Sequence, residues 1–364
     1  MHVLAKEQEQ LTNLLNEWYL TIRSRNINDA VAFSEKINLS IQGKSISNDV
    51  SLYYELVKFR YNVLVNRFEV SDTSFDNIDK FSIPNHGKLT YFYYFFKAIY
   101  YTMISNYEKA DKFYSIAYSK LENCSDDQEI AEFHYMYGSM LYHSFQPGLS
   151  IHHLQLAYEI FSKANHTQLN IAFCNNLFGL CWSLLKKYDR AEKCYTIALE
   201  IFHAVNEDGH ILMTKHNLGL MYSDKGESQL AIEYLSDVNK KNLNHFKALF
   251  IEAREHFKLH QYVDASERIE RGLNICLSVG NKEYFYHFQN LKALIDNVSV
   301  ENLEAIFQES IRYFIARKLF HYTLEYQEIL AHKYLKINNF KKSCEFFLCA
   351  SNTRNLIQKE GELS

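Results

Sequence analysis

The sequence contains very little of the two residues that shape turns, with 2 Pro and 11 Gly in 364 residues. A β-rich chain of this length needs many more of them, because hairpin turns depend on Gly, Asn-Gly or Pro. No run of 18 apolar residues occurs, so no membrane span is expected. The start of the chain lacks the basic-then-apolar pattern of a signal peptide. These absences predict an all-α protein of the cytoplasm with no membrane partner.

Neither the charge nor the cysteines indicate a reactive site. The formal net charge is -4, which gives no electrostatic reason to expect a nucleic-acid partner. The 7 cysteines include no CxxC pair and are expected to be buried thiols. His256 and His260 have the spacing of some zinc ligands, but no third ligand is evident beside them. With no nucleotide loop or Ser/His/Asp arrangement either, we expect no cofactor and no metal.

Aromatic residues are abundant, with 27 Tyr and 26 Phe, and they recur in the frame of the tetratricopeptide repeat. This helix-turn-helix unit of 34 residues has small residues at positions 8, 20 and 27, an aromatic near 11 and a large residue at 24. The best match takes Gly179 as position 8 and continues with Trp182, Ala191, Tyr195 and Ala198. The next begins at Gly219 and continues with Tyr222, Ala231, Leu235 and Val238.

Further matches recur at a spacing near forty residues, with position 8 at Ala98, Gly138, Ala253 and Ala331. The last of them takes Phe347 as its large residue, and the gap before it leaves room for a degenerate unit around Ala293. Independent hairpins need not keep a common spacing, so matches in phase indicate one array of about seven repeats. Such arrays form a right-handed superhelix, with the first helix of each unit lining the inner surface.

Residues 1–70 have a different pattern, which predicts a three-helix bundle. Apolar residues recur at helical spacing in residues 5–24 and again from residue 48. Asn28 is a suitable N-cap for the helix between them. Residues 71–87 are polar, contain Pro84 and Gly87, and are interpreted as a flexible linker to an array over residues 88–364.

Several segments resemble the Rap family of Bacillus, which comprises response-regulator aspartate phosphatases and anti-activators sensitive to secreted peptides. They are Leu15–Tyr19, Tyr53–Arg60, Lys88–Phe96, Ile130–Phe133 and His216–Gly219. The resemblance covers nearly the whole chain. It implies that residues 1–70 bind a response regulator protein and that the array binds a short secreted oligopeptide. Peptide binding would rearrange the bundle and release the regulator.

The resemblance also implies that family phosphatases orient a water molecule with a Gln in an Asp-Gln-Asp-Leu segment before the third helix. The matching segment here is Ser47-Asn48-Asp49-Val50. Asn48 has the same amide on a shorter stem, and catalysis of this kind depends on position. Two interpretations remain for Asn48, a catalytic amide or a helix cap. Whether the chain is an aspartyl-phosphate phosphatase therefore stays open.

Candidate peptide-binding residues lie on the first helices of the repeats. They are Asn176, Asn217, Lys247, Phe250, Arg254 and Phe257. The asparagine carboxamides donate and accept hydrogen bonds and can clamp a peptide unit. The two cations suit a peptide carboxylate, and the two phenylalanines suit apolar pockets beside them. The alternatives are a solvated inner face and, for the whole chain, a scaffold or adaptor that binds protein tails without catalysis.

Overall fold

The chain is helical in every regular element that the computed structural model describes, at residues 2–43, 46–66, 69–85, 87–121 and 126–362. It divides into two compact units, Met1–Glu207 and Asp208–Ser364. The first unit holds α1 His2–Arg23, α2 Ile27–Ile41, α3 Asn48–Val65, α4 Lys88–Met103, α5 Tyr107–Leu121, α6 Asp127–His143, α7 Pro147–Lys163, α8 Gln168–Leu184 and α9 Tyr188–Ala204. The second holds α10 Asp208–Lys225, α11 Ser228–Lys241, α12 Phe246–Lys258, α13 Tyr262–Val279, α14 Lys282–Ile295, α15 Val300–Ala316, α16 Phe320–Lys336 and α17 Phe340–Glu362. No helix in these ranges is long and apolar enough to cross a membrane.

The first three helices bury the apolar stripe that the sequence predicts. Leu15, Trp18 and Ile22 of α1 are at most 2% exposed, and the Trp18 indole donates to the Ala30 carbonyl oxygen of α2 at 2.8 Å. The predicted cap of α2 is wrong by two residues. Asn26 caps this helix instead, because its side chain accepts a hydrogen bond from the Asp29 amide at 3.2 Å.

Residues 71–87 do not behave as the flexible linker that their polar composition predicts. Phe75 and Ile78 are 1% and 2% exposed, and a short 3-10 helix spans Ile78–Lys80. The Phe75 ring lies 5.2 Å from that of Phe59 in α3 and 5.4 Å from that of Tyr100 in α4. Two apolar residues among polar ones are therefore enough to join this segment to the core between the bundle and the first repeat.

The seven predicted repeats correspond to seven helix hairpins, from α4–α5 to α16–α17. The degenerate unit is α14–α15, where Ala293 is 5% exposed. In the best-matched unit, a Cβ added to Gly179 would collide with the Tyr195 ring, and one added to Gly219 would lie 2.5 Å from Leu235 Cγ. Position 8 therefore packs directly against position 24, which is why the frame requires a small residue there.

The turn inside each hairpin explains why so few glycines suffice. One residue in each of the seven turns has a positive φ, and only Gly226 among them is a glycine; the others are Ser105, Phe145, Lys186, His260, Asn297 and Asn338. The amide that comes next bonds back to the carbonyl oxygen five residues earlier, as from Lys187 to Trp182 at 2.8 Å. This Schellman-type cap gives a hydrogen-bond partner to a carbonyl oxygen at the helix end. It offsets the steric cost of placing a residue with a side chain in the left-handed region.

The last hairpin departs from the frame at one position. Phe347, predicted as its large buried residue, is 38% exposed, whereas its neighbour Phe346 is 9% exposed. The Phe347 ring lies 5.2 Å from His332. The neighbouring Phe346 packs against the first helix of this hairpin instead, with its ring stacked 5.9 Å from that of Tyr334.

Candidate functional site

A cluster of buried charges lies in the first unit, where α1 and α3 meet α6. Arg25 and Arg60 are 7% and 3% exposed, and Glu132 is 1% exposed. The Nη2 atoms of the two arginines donate to opposite oxygens of the Glu132 carboxylate, each at 2.9 Å. Buried charges are tolerated when they are paired and hydrogen-bonded. Glu132 of α6 therefore holds both α3 and the turn at the end of α1.

Glu129, on the same helix, extends this cluster. It accepts hydrogen bonds from Arg23 Nη1 at 3.2 Å and from the hydroxyls of Tyr19 and Tyr91 at 2.9 and 3.0 Å. Burial raises the pKa of the Glu129 carboxyl, and the Arg23 cation opposes that rise. Asp126 accepts from the same Arg23 nitrogen at 2.6 Å. Burial alone would raise the pKa of Asp126, but the hydrogen bond and charge of Arg23 outweigh it and hold this pKa below its usual value.

The turn between α1 and α2 is inserted against the first helices of the second and third repeats. Arg25 has a φ of 61°, in the left-handed region. In this conformation, the Arg25 guanidinium lies 4.6 Å from the Tyr135 ring centroid on α6 and 5.2 Å from that of Phe173 on α8. Asn170 of α8 donates to the Arg23 carbonyl oxygen at 3.2 Å. The bundle is thus fixed to the array by ion pairs, cation–π contacts and a backbone hydrogen bond.

The sequence pattern did not reveal this cluster. Arg60 ends the segment Tyr53–Arg60 and Glu132 lies in Ile130–Phe133, two of the segments that carry the family resemblance. The position of both residues in segments that resemble the family was a feature of the sequence that could have indicated this cluster. The two residues are 72 positions apart, and no helical periodicity relates them.

Asn48 is the first residue of α3 and its side chain is exposed. The cap of α3 is Ser47, whose hydroxyl accepts from the Val50 amide at 3.4 Å. The interpretation of Asn48 as the helix cap is therefore wrong. An exposed amide at the start of a helix is accessible to a partner protein, and the catalytic interpretation stays a prediction.

Three of the predicted peptide-binding residues meet on α12 in the second unit. The Phe250 ring lies 5.9 Å from the Tyr284 ring of α14, and the Lys247 ammonium lies 5.8 Å from the same ring. The Arg254 guanidinium carbon lies 5.9 Å from the Phe250 centroid. Phe250 and Arg254 are half-buried, and Lys247 is exposed. These residues form a mixed apolar and cationic surface between α12 and α14.

The other three predicted residues lie apart from this group. Asn176 is on α8 in the first unit and only 6% exposed. Asn217 is half-buried on α10 in the second unit, and Phe257 lies near the end of α12 with its ring 6.1 Å from that of Tyr262. A peptide-clamping role for the two asparagines stays a prediction.

The two histidines with zinc-like spacing face different partners. His256 is 6% exposed and its Nδ1 lies 2.6 Å from Gln261 Oε1. His260 is exposed and its Nδ1 lies 2.8 Å from the Tyr262 hydroxyl. In the part of the chain that the structure describes, no group of three His, Cys, Asp or Glu side chains is placed to hold a metal ion.

Comparison with known proteins gives matches to response regulator aspartate phosphatases and other Rap proteins, and to transcriptional activator NprA of Geobacillus stearothermophilus. The model of response regulator aspartate phosphatase H, N terminal, matches residues 5–66, which include α3 and most of α1. The chain is 27% identical to regulatory protein RapF of Bacillus subtilis (strain 168), over 94% of each protein. It is 26% identical to response regulator aspartate phosphatase H of that organism, over 96% of this chain and 94% of that protein. The crystal structure of a Rap protein complexed with competence and sporulation factor has a TM-score of 0.76 at 20% identity, over 97% of this chain and 99% of that chain. Over nearly its whole length, the chain is therefore similar to proteins of the Rap family.

Proposed function

We propose that this chain is a cytoplasmic, peptide-sensing regulator that binds a response regulator through α1–α3 and inhibits it. A short signalling peptide bound to the repeats would release the regulator. The observation that carries the proposal is the match of residues 5–66 to the N-terminal part of a response regulator aspartate phosphatase. Seven repeats come after it on the same chain, with the fold of a Rap protein that was crystallised with competence and sporulation factor. A net charge of -4 gives no support for a nucleic-acid partner.

The buried charge cluster supports communication between repeats and bundle. Glu132 on the first helix of the second repeat holds both Arg25 and Arg60 at 2.9 Å. A shift of α6 that moves this carboxylate would leave two buried guanidinium groups unpaired, which is strongly unfavourable. The bundle must therefore move with α6 or detach from it as a unit. An α6 that either keeps or loses these contacts would supply the two states that peptide control requires.

Inhibition can proceed by dephosphorylation or by sequestration, and Asn48 distinguishes them. If the chain is a phosphatase, it should accelerate phosphate loss from a phosphorylated response regulator, and Asn48→Ala should abolish the acceleration. Asn48→Gln should retain it, because the amide is kept. The matched control is Asn28→Ala, which removes another exposed asparagine of the bundle. Binding without acceleration would establish sequestration. A chain that neither binds nor dephosphorylates any response regulator of its host would refute the proposal.

Asn217 tests the peptide-binding half of the proposal. If its carboxamide clamps a peptide unit, Asn217→Ala should weaken peptide binding by about 1–3 kcal/mol, because a backbone group of the bound peptide loses its partner. Isothermal titration calorimetry measures this difference. Asn352→Ala, at an exposed position of α17, is the control. Unchanged affinity in Asn217→Ala would remove this residue from the site.

A further inference from the structure

Aromatic rings from three successive first helices gather around Arg254 in the second unit. We define the Arg254 cluster as Phe250 and Arg254 of α12, Tyr284 and His287 of α14, and Tyr322 of α16. The His287 ring lies 5.1 Å from that of Phe250, 5.4 Å from that of Tyr284 and 4.3 Å from that of Tyr322. One cation therefore lies among apolar and aromatic groups, where an ion pair is screened less than in water.

The nearest carboxylate, that of Glu255, does not fully balance the charge of Arg254. Glu255 accepts hydrogen bonds from Lys258 Nζ at 2.7 Å and from the hydroxyls of Ser223 and Ser228, each at 2.6 Å. Arg254 Nε lies further away, at 3.4 Å from the Glu255 oxygen. Two cations therefore share one carboxylate, and the group of Arg254, Lys258 and Glu255 keeps one net positive charge.

The guanidinium of Arg254 also has donor capacity to spare. Its Nη2 donates to the Ser223 hydroxyl at 2.8 Å, and its Nη1 donates to no residue in the described ranges. The Arg254 side chain is 28% exposed, so a ligand can reach it. A planar guanidinium with an unused edge is suited to a carboxylate.

His287 supplies an independent sign that the cluster is incomplete. It is 2% exposed, its Nδ1 lies 2.7 Å from the Tyr326 hydroxyl, and its buried Nε2 has no partner among the described residues. Burial, with the charge of Arg254, lowers the pKa of His287 to about 3, so the ring is neutral at pH 7. If the Tyr326 hydroxyl donates to Nδ1, Nε2 carries the hydrogen and lacks an acceptor. A buried polar atom of this kind requires an explanation, such as a bound ligand.

We propose that the Arg254 cluster is the subsite that binds a carboxylate of the peptide, with an adjacent apolar side chain of the peptide against Phe250 and Tyr284. This inference rests on the proposed function, and it adds which chemical group is recognised and where. Lys247, over the Tyr284 ring, lies at the exposed rim. Glu283 and Glu325 act electrostatically on Tyr322 and would repel a second carboxylate on that side. The subsite therefore selects one carboxylate rather than an acidic stretch.

A peptide carboxylate can come from the C-terminus or from an Asp or Glu side chain, and four pools of random pentapeptides separate these sources. One pool has free C-termini and no Asp or Glu, and a second has amidated C-termini and includes Asp and Glu. A third has both sources, and a fourth has neither. Each pool is incubated with the full chain, and retained peptides are identified by mass spectrometry. We expect retention from the pools that carry the recognised carboxylate, and none from the fourth.

The best retained peptide is then titrated into variants. Arg254→Gln should weaken its binding about 10- to 100-fold, the effect of losing a charge-assisted hydrogen bond. Arg254→Lys should recover part of the loss. Arg317→Gln is the matched control, because Arg317 also lies over a ring, at 5.8 Å from the Tyr313 centroid, but outside the cluster. Thermal unfolding of each variant checks that it is folded.

The outcomes separate the inference from the proposed function. Equal retention from all four pools, or equal loss of affinity in Arg254→Gln and Arg317→Gln, would overturn the carboxylate subsite while leaving peptide binding intact. Retention of no peptide from any pool would count against peptide sensing itself, and the subsite with it.

Discussion

Replacing Glu132 by Gln tests how the bundle is held to the repeats. In the wild type, Arg25 and Arg60 each donate to one of the two carboxylate oxygens of Glu132 at 2.9 Å. The substitution keeps the shape of the side chain but leaves only one of these two acceptor oxygens. The new NH2 group faces one of these guanidinium groups, and because both are donors they cannot form a hydrogen bond with each other. Both arginines stay buried, 7% and 3% exposed, without their counter-charge. Breaking a buried ion pair by removing one partner costs about 3–5 kcal/mol, so Glu132→Gln should lower the free energy of unfolding of the first unit by that amount.

Tryptophan fluorescence during urea unfolding measures this loss in the first unit. The chain has 2 Trp, and a Trp182→Phe background leaves Trp18, 1% exposed in α1, as the reporter. The matched control is Glu55→Gln, whose pairing with Lys58 at 3.7 Å is exposed to solvent and should change stability by less than about 1 kcal/mol. If Glu132→Gln costs no more than Glu55→Gln, the charge cluster does not hold the bundle to the repeats.

Three further predictions concern helix packing, helix capping and the pH dependence of stability. Gly179→Ala should lower stability by about 1–3 kcal/mol because its methyl group collides with the Tyr195 ring. Gly148→Ala in α7, where a Cβ meets nothing within 4 Å, should be neutral or stabilising in the same urea assay, and equal effects of the two would contradict the repeat packing. Ser47→Ala should cost about 0.5–2 kcal/mol as the loss of an N-cap; a larger loss from Asn48→Ala would show that the cap is misassigned. Burial holds the pKa of His134, His153 and His216 at about 4 and that of His287 at about 3, so the unfolded chain binds more protons between those values and about 6.5. Stability should therefore fall from pH 7 to pH 5, by about 2 kcal/mol from His287 alone. The raised pKa of Glu129 acts in the opposite direction. A stability that does not change between pH 7 and pH 5 would contradict these assignments.

The repeats were predictable from the sequence because they depend on short-range spacing. Small residues at fixed offsets, such as Gly179 and Ala191, reflect contacts made between neighbouring helices of one hairpin. Such contacts repeat at a constant interval, so even the degenerate unit around Ala293 could be placed. The exposure of Phe347 was not predictable from that frame, which expects a large residue there and does not distinguish it from the more buried neighbour Phe346.

Features set by distant contacts or by single hydrogen bonds were harder to predict. The polar composition of residues 71–87 concealed Phe75 and Ile78, whose burial depends on a gap between α3 and α4. The caps Asn26 and Ser47 lie within two residues of suitable alternatives, and only the geometry of one hydrogen bond distinguishes them. The sequence could place Phe250 and Arg254 together on α12, but His287 and Tyr322 join them only through the packing of α14 and α16, which the sequence pattern did not specify.

Retention of response regulators on the immobilised full chain tests the central proposal most directly. The response regulators of the host are passed over the chain with and without its short secreted peptides, and bound proteins are identified by mass spectrometry. We expect that a response regulator is retained, that cross-links map to α1–α3, and that one peptide displaces it. A chain that retains no response regulator, or retains one whether or not any peptide is present, would contradict the account.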